Sequence, residues 1–511
     1  MSIARKILEN TFIQVFGKVV TAGLSIVILK IISGYLGTAG YGDYTTVYQF
    51  LAFFGIAADF GIYTITVKEM SKDTEKIPTI LGNILGLRTA LAILTMGAAA
   101  IVAYLIPSYS GTVIPMGVLI ATLATVFTLL NGTVSSVLQV HLKMQYATIG
   151  LIIGKIVSVL YMAAVVYILF THDVATGFNH LMWAGVFANL VQFAITSYYV
   201  RKYSKITYKF DFGYWKKIFL TSLPYGVALV LSTMYFRLDV ILLTVILPHT
   251  TVLADGSVQC PSAMCGDTEV GLLGVAMRFL EMLVIIPVYF MTSVLPIMTR
   301  FLEEKSERIK ELMQYSFDFL FATAMPILVG SFILAKPIIR LISGPEFLSG
   351  NLHAYGSDLA LRILMFAMLF SFINSLFGFT LVVLNKQMKL MFINAGCVIL
   401  NLLANIIVIP YFGFRGASAA SIGSELFILI FTAIVVTRTL QLKLSMRTLF
   451  RTLLSSLTMG LLVWGGFIWM KDMWFVWQLA LLVPLGGVVY GIMILGTKAV
   501  TPEMWRLLKK S

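Results

Sequence analysis

The residues that could do chemistry in this chain are ionisable groups set inside long apolar stretches. They are Lys18, Lys30, Asp59, Arg88, Lys155, Arg237, Asp239, Arg278, Glu281, Lys336, Arg362 and Glu425. A charge held in hydrocarbon is costly, so by default each faces a partner or a watery cavity and marks a substrate or ion pathway. Basic members outnumber acidic ones, which suits an anionic cargo. Arg237 and Arg278 lie about ten and eight residues from the same end of their stretches, and at about 1.5 Å per residue they reach similar depths. Two readings stay open for this pair: joint contact with one anion, or structural ion pairs with the nearby Asp239 and Glu281. Lys18, Arg88 and Lys155 enter from the opposite, cytoplasmic side and would line a vestibule attractive to a pyrophosphate, whose charge must be compensated in low-dielectric space. Lys30, Lys336 and Arg362 lie near the outer boundary, where snorkelling explains them. Asp59 is placed to cap or pair locally. Glu425, mid-stretch, is the candidate for coupling to a proton or sodium gradient.

Other chemistries are poorly served. The segment Gly150-Leu151-Ile152-Ile153-Gly154-Lys155 lacks the spacing and the hydroxyl residue of a phosphate loop and reads as a small-xxx-small helix contact. The histidines His141, His172, His180, His249 and His353 are scattered, with no metal-ligand spacing and no triad partner, so neither a metal site nor an enzyme active site is expected, and no cofactor. Cys260 and Cys265 share the longest outer connection and are a candidate disulfide; Cys397 reads as a small buried residue.

The elements that must position these groups follow from composition. Of 511 residues 59% are apolar and 12% charged, far from the roughly one-quarter charged of a soluble domain. With about 20 apolar residues per crossing, the chain holds about fourteen transmembrane helices. They fall near 12–36, 41–64, 79–106, 113–140, 146–170, 179–200, 216–247, 270–299, 313–337, 357–384, 388–410, 415–437, 450–470 and 474–497. The net charge of +14 is topology, not a nucleic-acid site. About 26 Lys and Arg fall in alternate connections and both termini, while only Arg340, Arg415 and Lys471 fall in the others, so both termini are expected in the cytoplasm of an integral cell-membrane protein. Trp469, Trp474 and Trp477 suit a headgroup layer. Pro224, Pro287 and Pro296 mark bends. Tyr41-Gly42-Asp43-Tyr44 resembles Val270-Gly271-Leu272-Leu273 about 230 residues later, and each is followed by a span and a charged amphipathic stretch, as in a transporter built from repeated halves.

Several segments together resemble the Wzx-type polysaccharide flippases of the MATE-like MOP exporter superfamily. They are Asp59-Phe60-Gly61 with Lys68-Glu69, Phe236-Arg237-Leu238-Asp239, Val270-Gly271 leading to Arg278-Phe279-Leu280-Glu281, and Pro296 with Arg300. Further along, Lys336-Pro337-Ile338-Ile339, Gly344-Pro345-Glu346-Phe347, and Asn401 to Pro410 with Gly413-Phe414-Arg415-Gly416-Ala417 add to the likeness. The resemblance implies an all-α polytopic fold of two pseudo-symmetric six-helix lobes, 1–210 and 211–440, with two peripheral helices and a cytoplasmic tail at 441–511. It implies a polyprenyl-pyrophosphate-linked oligosaccharide as cargo, with membrane lipids and other polysaccharide-assembly proteins as partners. Lys18, Arg88, Lys155, Arg237 and Arg278 would then be the substrate-binding cations, and Asp59, Asp239, Glu281 and Glu425 the charge or coupling partners. The competing expectations are a peptidoglycan-precursor flippase, a multidrug and cation antiporter with an acidic cavity, and a membrane glycan polymerase or ligase, for which no large outer loop is present.

Overall fold

The computed structural model describes residues 3–252, 258–304, 306–442 and 445–497, with the side chains of 3–12, 15, 74, 224, 225, 228, 229, 232, 233, 235, 236, 252 and 258 outside the description. The basic residues Arg5, Lys6, Lys305, Lys443, Lys498, Arg506, Lys509 and Lys510 of the topology tally lie outside the described side chains, as does Pro224.

The helices are α1 Ile3–Asp59, α2 Ile62–Lys72, α3 Ile77–Leu105, α4 Ile114–Val140, α5 Gln145–Ala164, α6 Val174–Val200, α7 Phe212–Ile246 and α8 Gly266–Leu283. They continue as α9 Ile285–Glu303, α10 Arg308–Ile333, α11 Ala335–Ile342, α12 Ser357–Val383, α13 Gln387–Phe412, α14 Phe414–Leu440, α15 Arg447–Trp469 and α16 Phe475–Gly496. Among the described residues the paired strands are two-residue and antiparallel, Thr251–Val252 with Val258–Gln259, in the connection before α8.

Among the described residues twelve helical stretches are long and apolar enough to cross a membrane. The first, Phe16–Lys72, has 57 residues. That is roughly 85 Å of helix, more than two thicknesses of a hydrocarbon layer of about 30 Å. It is interrupted at Gly37, at φ 66°, a conformation glycine adopts without the clash a Cβ would make, and again at Phe60–Gly61 between α1 and α2. The first break falls between the spans read at 12–36 and 41–64. α7 supplies a further 35-residue helix over the apolar span at 216–247, and counted as passages the layout matches the fourteen spans. Exposed Leu94, Ile101, Leu461 and Ile492 need lipid around them. The chain is an integral membrane protein.

Two differences from the sequence reading have local causes. The span at 270–299 is divided at Val284, shortly before Pro287, which cannot donate a helical hydrogen bond. The span at 313–337 ends at Ile333, and Lys336 and Pro337 instead lie in the first turn of the short amphipathic α11, because Pro337 has no N–H to bond back to the Ile333 carbonyl four residues earlier.

The chain forms two compact units, Met1–Gly271 and Leu272–Ser511. In the first, α4 packs on α3 and α6, α5 on α1 and α6, and α7 on α1, α2 and α3. A Cβ on Gly154 would lie 2.6 Å from the Ala188 carbonyl oxygen, and one on Gly150 3.1 Å from Thr196 Oγ1, so these glycines are where α5 and α6 touch. The amphipathic α2 buries Ile62, Thr66 and Met70, four residues apart, and leaves Lys72 paired with Glu69 at 2.7 Å outside. In the second unit α12 packs on α9, α10 and α14, and α13 on α14. α15 and α16 pack together and lean on α10 and α11. Thr448 Oγ1 donates to Asp318 Oδ2 at 3.1 Å, Tyr490 donates to the Ala322 carbonyl, and the Arg340 guanidinium lies 5.0 Å from the Phe475 ring.

Candidate functional site

The first unit holds a cavity of about 420 Å³ lined by α1, α4, α6 and α7. Its polar wall is Tyr48, Asp59, Thr125, Thr128, Asn189 and Arg237. Asp59 reaches it because α1 stops there. Phe60 at φ 40° and Gly61 at φ 71° turn the chain before α2, and only the glycine takes that conformation without strain. Phe60 then packs on Gly226, which has no side chain to collide with it, and lies 5.8 Å from the Phe219 ring. The Asp59-Phe60-Gly61 segment is thus a helix stop that also seats α7.

Behind the cavity Arg88 of α3 is 2% exposed. Its guanidinium pairs with Asp59, and its Nη1 donates to the Leu129 carbonyl at 2.9 Å and to Thr133 Oγ1 at 3.2 Å. The carboxylate offsets the charge of this buried arginine, and the arginine answers the Asp59 charge from the protein side. Arg237, half-buried on α7, donates from Nη1 to Gln49 Oε1 of α1. The lining therefore offers one guanidinium, several neutral hydrogen-bonding groups, and one carboxylate already engaged.

The other cations lie elsewhere. Lys18 is exposed and Lys155 half-buried beside the α5–α6 glycine contact, and neither lines this cavity. Arg278 belongs to the second unit, where its Nη1 donates to Glu281 Oε2 at 2.9 Å across one helical turn, both side chains over a third exposed. Of the two readings left open for Arg278, its geometry includes the ion pair. Asp239 is 1% exposed. Arg362 donates from Nε to the Phe332 carbonyl at 3.1 Å and covers that ring, a packing role.

In the second unit Glu425 is 1% exposed. Asn374 Nδ2 of α12 donates to its Oε2 at 2.5 Å and to its backbone carbonyl at 2.9 Å. Next to it Asn401 Nδ2 donates to Ser424 Oγ at 3.1 Å and Asn405 Nδ2 to Asn401 Oδ1 at 3.1 Å. A buried carboxylate among amide and hydroxyl groups is a natural seat for a proton or a small cation.

Gln49, Asn189 and Asn374 were missed by a reading confined to ionisable residues. Their signal was an uncharged polar side chain inside an apolar span, which also needs a partner. In the connection before α8, Cys260 and Cys265 are joined in a disulfide with Cα atoms 5.8 Å apart.

Comparison with known proteins agrees with this architecture. A family model described as polysaccharide biosynthesis protein matches residues 7–302, and a second, MatE, matches 259–407. No curated protein sequence matches the chain. Among solved structures, the lipid II flippase MurJ in an inward closed conformation is 15% identical with a TM-score of 0.68, covering 95% of this chain and 98% of that one. An inward-facing multidrug resistance transporter of the MATE family, MOP superfamily, is 12% identical with a TM-score of 0.63, covering 82% and 94%. A MOP superfamily transporter from Pyrococcus furiosus, described as having a binding pocket of reverse polarity, is 12% identical with a TM-score of 0.51, covering 86% and 96%. At these identities the likeness is one of fold.

Proposed function

We propose, from the premise that this chain belongs to the polysaccharide biosynthesis protein family, that it is a flippase carrying a polyprenyl-pyrophosphate-linked oligosaccharide from the cytoplasmic to the outer leaflet by alternating access. Family membership puts the chain in glycan assembly, and the fold it shares with flippases and exporters supports movement of a cargo rather than bond chemistry. The observation that carries the reading is Arg237 on the wall of the cavity, with the one carboxylate there, Asp59, paired to Arg88. A pyrophosphate brings charge that low-dielectric surroundings penalise steeply. A guanidinium among hydroxyl and amide groups compensates it with charge-assisted hydrogen bonds. Lys18 and Lys155 then serve the approach from the cytoplasmic side and Arg278 the later part of the path, with both termini cytoplasmic, a reading supported by the basic connections. Glu425 takes the proton or sodium ion whose gradient drives the cycle.

A second reading, flipping of the peptidoglycan lipid precursor, is favoured by the whole-chain fold match to the lipid II flippase. The two cargoes share the pyrophosphate and differ in the sugar. The deciding experiment reconstitutes the purified chain in vesicles with each labelled lipid-pyrophosphate glycan and follows its exposure on either leaflet. Transfer of an oligosaccharide-linked lipid supports the proposal, and transfer of the peptidoglycan precursor alone selects the second reading. Movement of neither, with export of a cationic dye, replaces both with the antiporter.

A further inference from the structure

The histidines form no metal-ligand pattern along the sequence, yet the fold gathers one of them with two carboxylates. Asp43 of α1, His249 of the connection after α7 and Asp267 of the first turn of α8 each offer a ligand atom within 4.8 Å of the others. All three belong to the first unit. We propose that Asp43, His249 and Asp267 form a binding site for a divalent transition metal, with Zn²⁺ the best match, that fastens the connection before α8 onto α1.

The donor orientation carries the argument. His249 Nε2 is 3.2 Å from the Thr244 carbonyl oxygen, which can only accept, so Nε2 bears the proton. The lone pair of Nδ1 is left facing Asp43 Oδ1 at 3.9 Å, too far for a hydrogen bond. His249 is 10% exposed, and Asp43 Oδ1 is sealed from solvent and meets no hydrogen-bond donor among the described residues. A cation between these two facing lone pairs would satisfy both and offset the cost of burying them.

The surroundings have the form of an outer ligand shell. An imidazole whose far nitrogen donates to a backbone carbonyl is the usual arrangement of a metal-binding histidine. Asp267, 1% exposed, is held by Thr250, whose amide donates to Oδ2 at 3.2 Å and whose hydroxyl also donates, and by the Thr268 amide at 2.8 Å to Oδ1. The Tyr109 ring stands edge-on to His249 with centroids 6.2 Å apart. Gly42 and Gly271 face each other where α1 and α8 cross, and a Cβ on either would strike backbone of the other helix, so both carboxylates sit on closely apposed backbone. One nitrogen and two carboxylate oxygens suit Zn²⁺, with water in the fourth position; bonds of about 2.0–2.1 Å put ligand atoms roughly 3.3 Å apart, which rotamer shifts of about an ångström supply. Na⁺ and Mg²⁺ prefer all-oxygen shells.

The test uses the full-length chain, purified in detergent, stripped with a chelator and titrated with ZnCl₂. Bound zinc is read by mass spectrometry after gel filtration and thermal stability by a melting curve. The expected result is one zinc per chain and a rise in Tm that the chelator reverses, with neither effect from MgCl₂. His249→Gln, which leaves both helices and their glycine crossing intact, is expected to lose the zinc and the Tm rise, while His141→Gln keeps them. Wild type without zinc, or His249→Gln binding as wild type does, overturns the proposal. Should His249→Gln fail to fold, Co²⁺ added to the wild type decides: visible d–d bands of a nitrogen and oxygen shell support the site, and their absence overturns it. Lipid movement is not read in this experiment, so its outcome is separate from that of the flippase proposal.

Discussion

In the first unit Arg88, Asp59 and Arg237 bring two signs of charge into the membrane-spanning helices and set two of the three on a cavity wall. In the second unit Glu425 is enclosed by Asn374 with Asn401, Asn405 and Ser424 beside it. Both arrangements keep an ionisable group in a region that penalises it, by different means. A salt pair fixes its members, because separating them leaves a bare charge in a low dielectric. A carboxylate held by amide donors, as Glu425 is by Asn374, can exchange a proton or cation while those hydrogen bonds persist. The first arrangement suits a fixed wall for an anionic headgroup, and the second suits a group whose charge changes during a cycle.

That contrast can be broken in steps. The largest effect is expected from Arg88→Ala, which strands Asp59 and should cost about 3–5 kcal/mol, seen as lost detergent-stable protein and a lower Tm. Asp59→Asn in the same chain should restore much of it, and failure to do so would show that the two are not a coupled pair. Arg237→Ala comes next. It should slow lipid-glycan transfer in vesicles about a hundredfold, equivalent to about 2.7 kcal/mol, with membrane insertion and Tm nearly unchanged, and Arg237→Lys should recover part of the rate. Glu425→Gln keeps the hydrogen bond from Asn374 and removes the charge. Transfer should then lose its response to an imposed proton or sodium gradient while the fold persists, and a gradient response equal to wild type would remove Glu425 from coupling. Gly154→Leu tests packing alone, since its Cβ would meet the Ala188 carbonyl oxygen, and overpacking should cost about 1–3 kcal/mol. Smallest is the Arg278→Ala and Glu281→Ala pair. An exposed one-turn ion pair contributes about 0.3–0.5 kcal/mol, so a normal Tm with impaired transfer would assign Arg278 to the cargo path, and both unchanged would leave it on the surface.

Sequence carries the spans because hydropathy is summed over about 20 residues and a few misplaced ones do not alter it. Gly37 and Pro337 were visible as letters, but whether a glycine takes a positive φ or a missing proline N–H splits a helix is decided locally, which the average ignores. The site was legible only by type. Asp59 and Arg88 were both marked as costly charges, yet their pairing joins the end of α1 to the buried face of α3, a tertiary fact. The Gln49 contact to Arg237 and the Asn374 contact to Glu425 cross between helices distant in sequence. The Asp43, His249 and Asp267 cluster spans more than 200 residues, so no spacing rule reaches it.

Three cysteines occur in the chain. Two are locked to each other, and Cys397 is fully buried among helices of the second unit, where a thiol is shielded from reagents. The native protein is therefore already a silent background for site-directed labelling. A single cysteine introduced in any connection would report alone to a membrane-impermeant maleimide, so sidedness can be mapped loop by loop without first rebuilding the sequence.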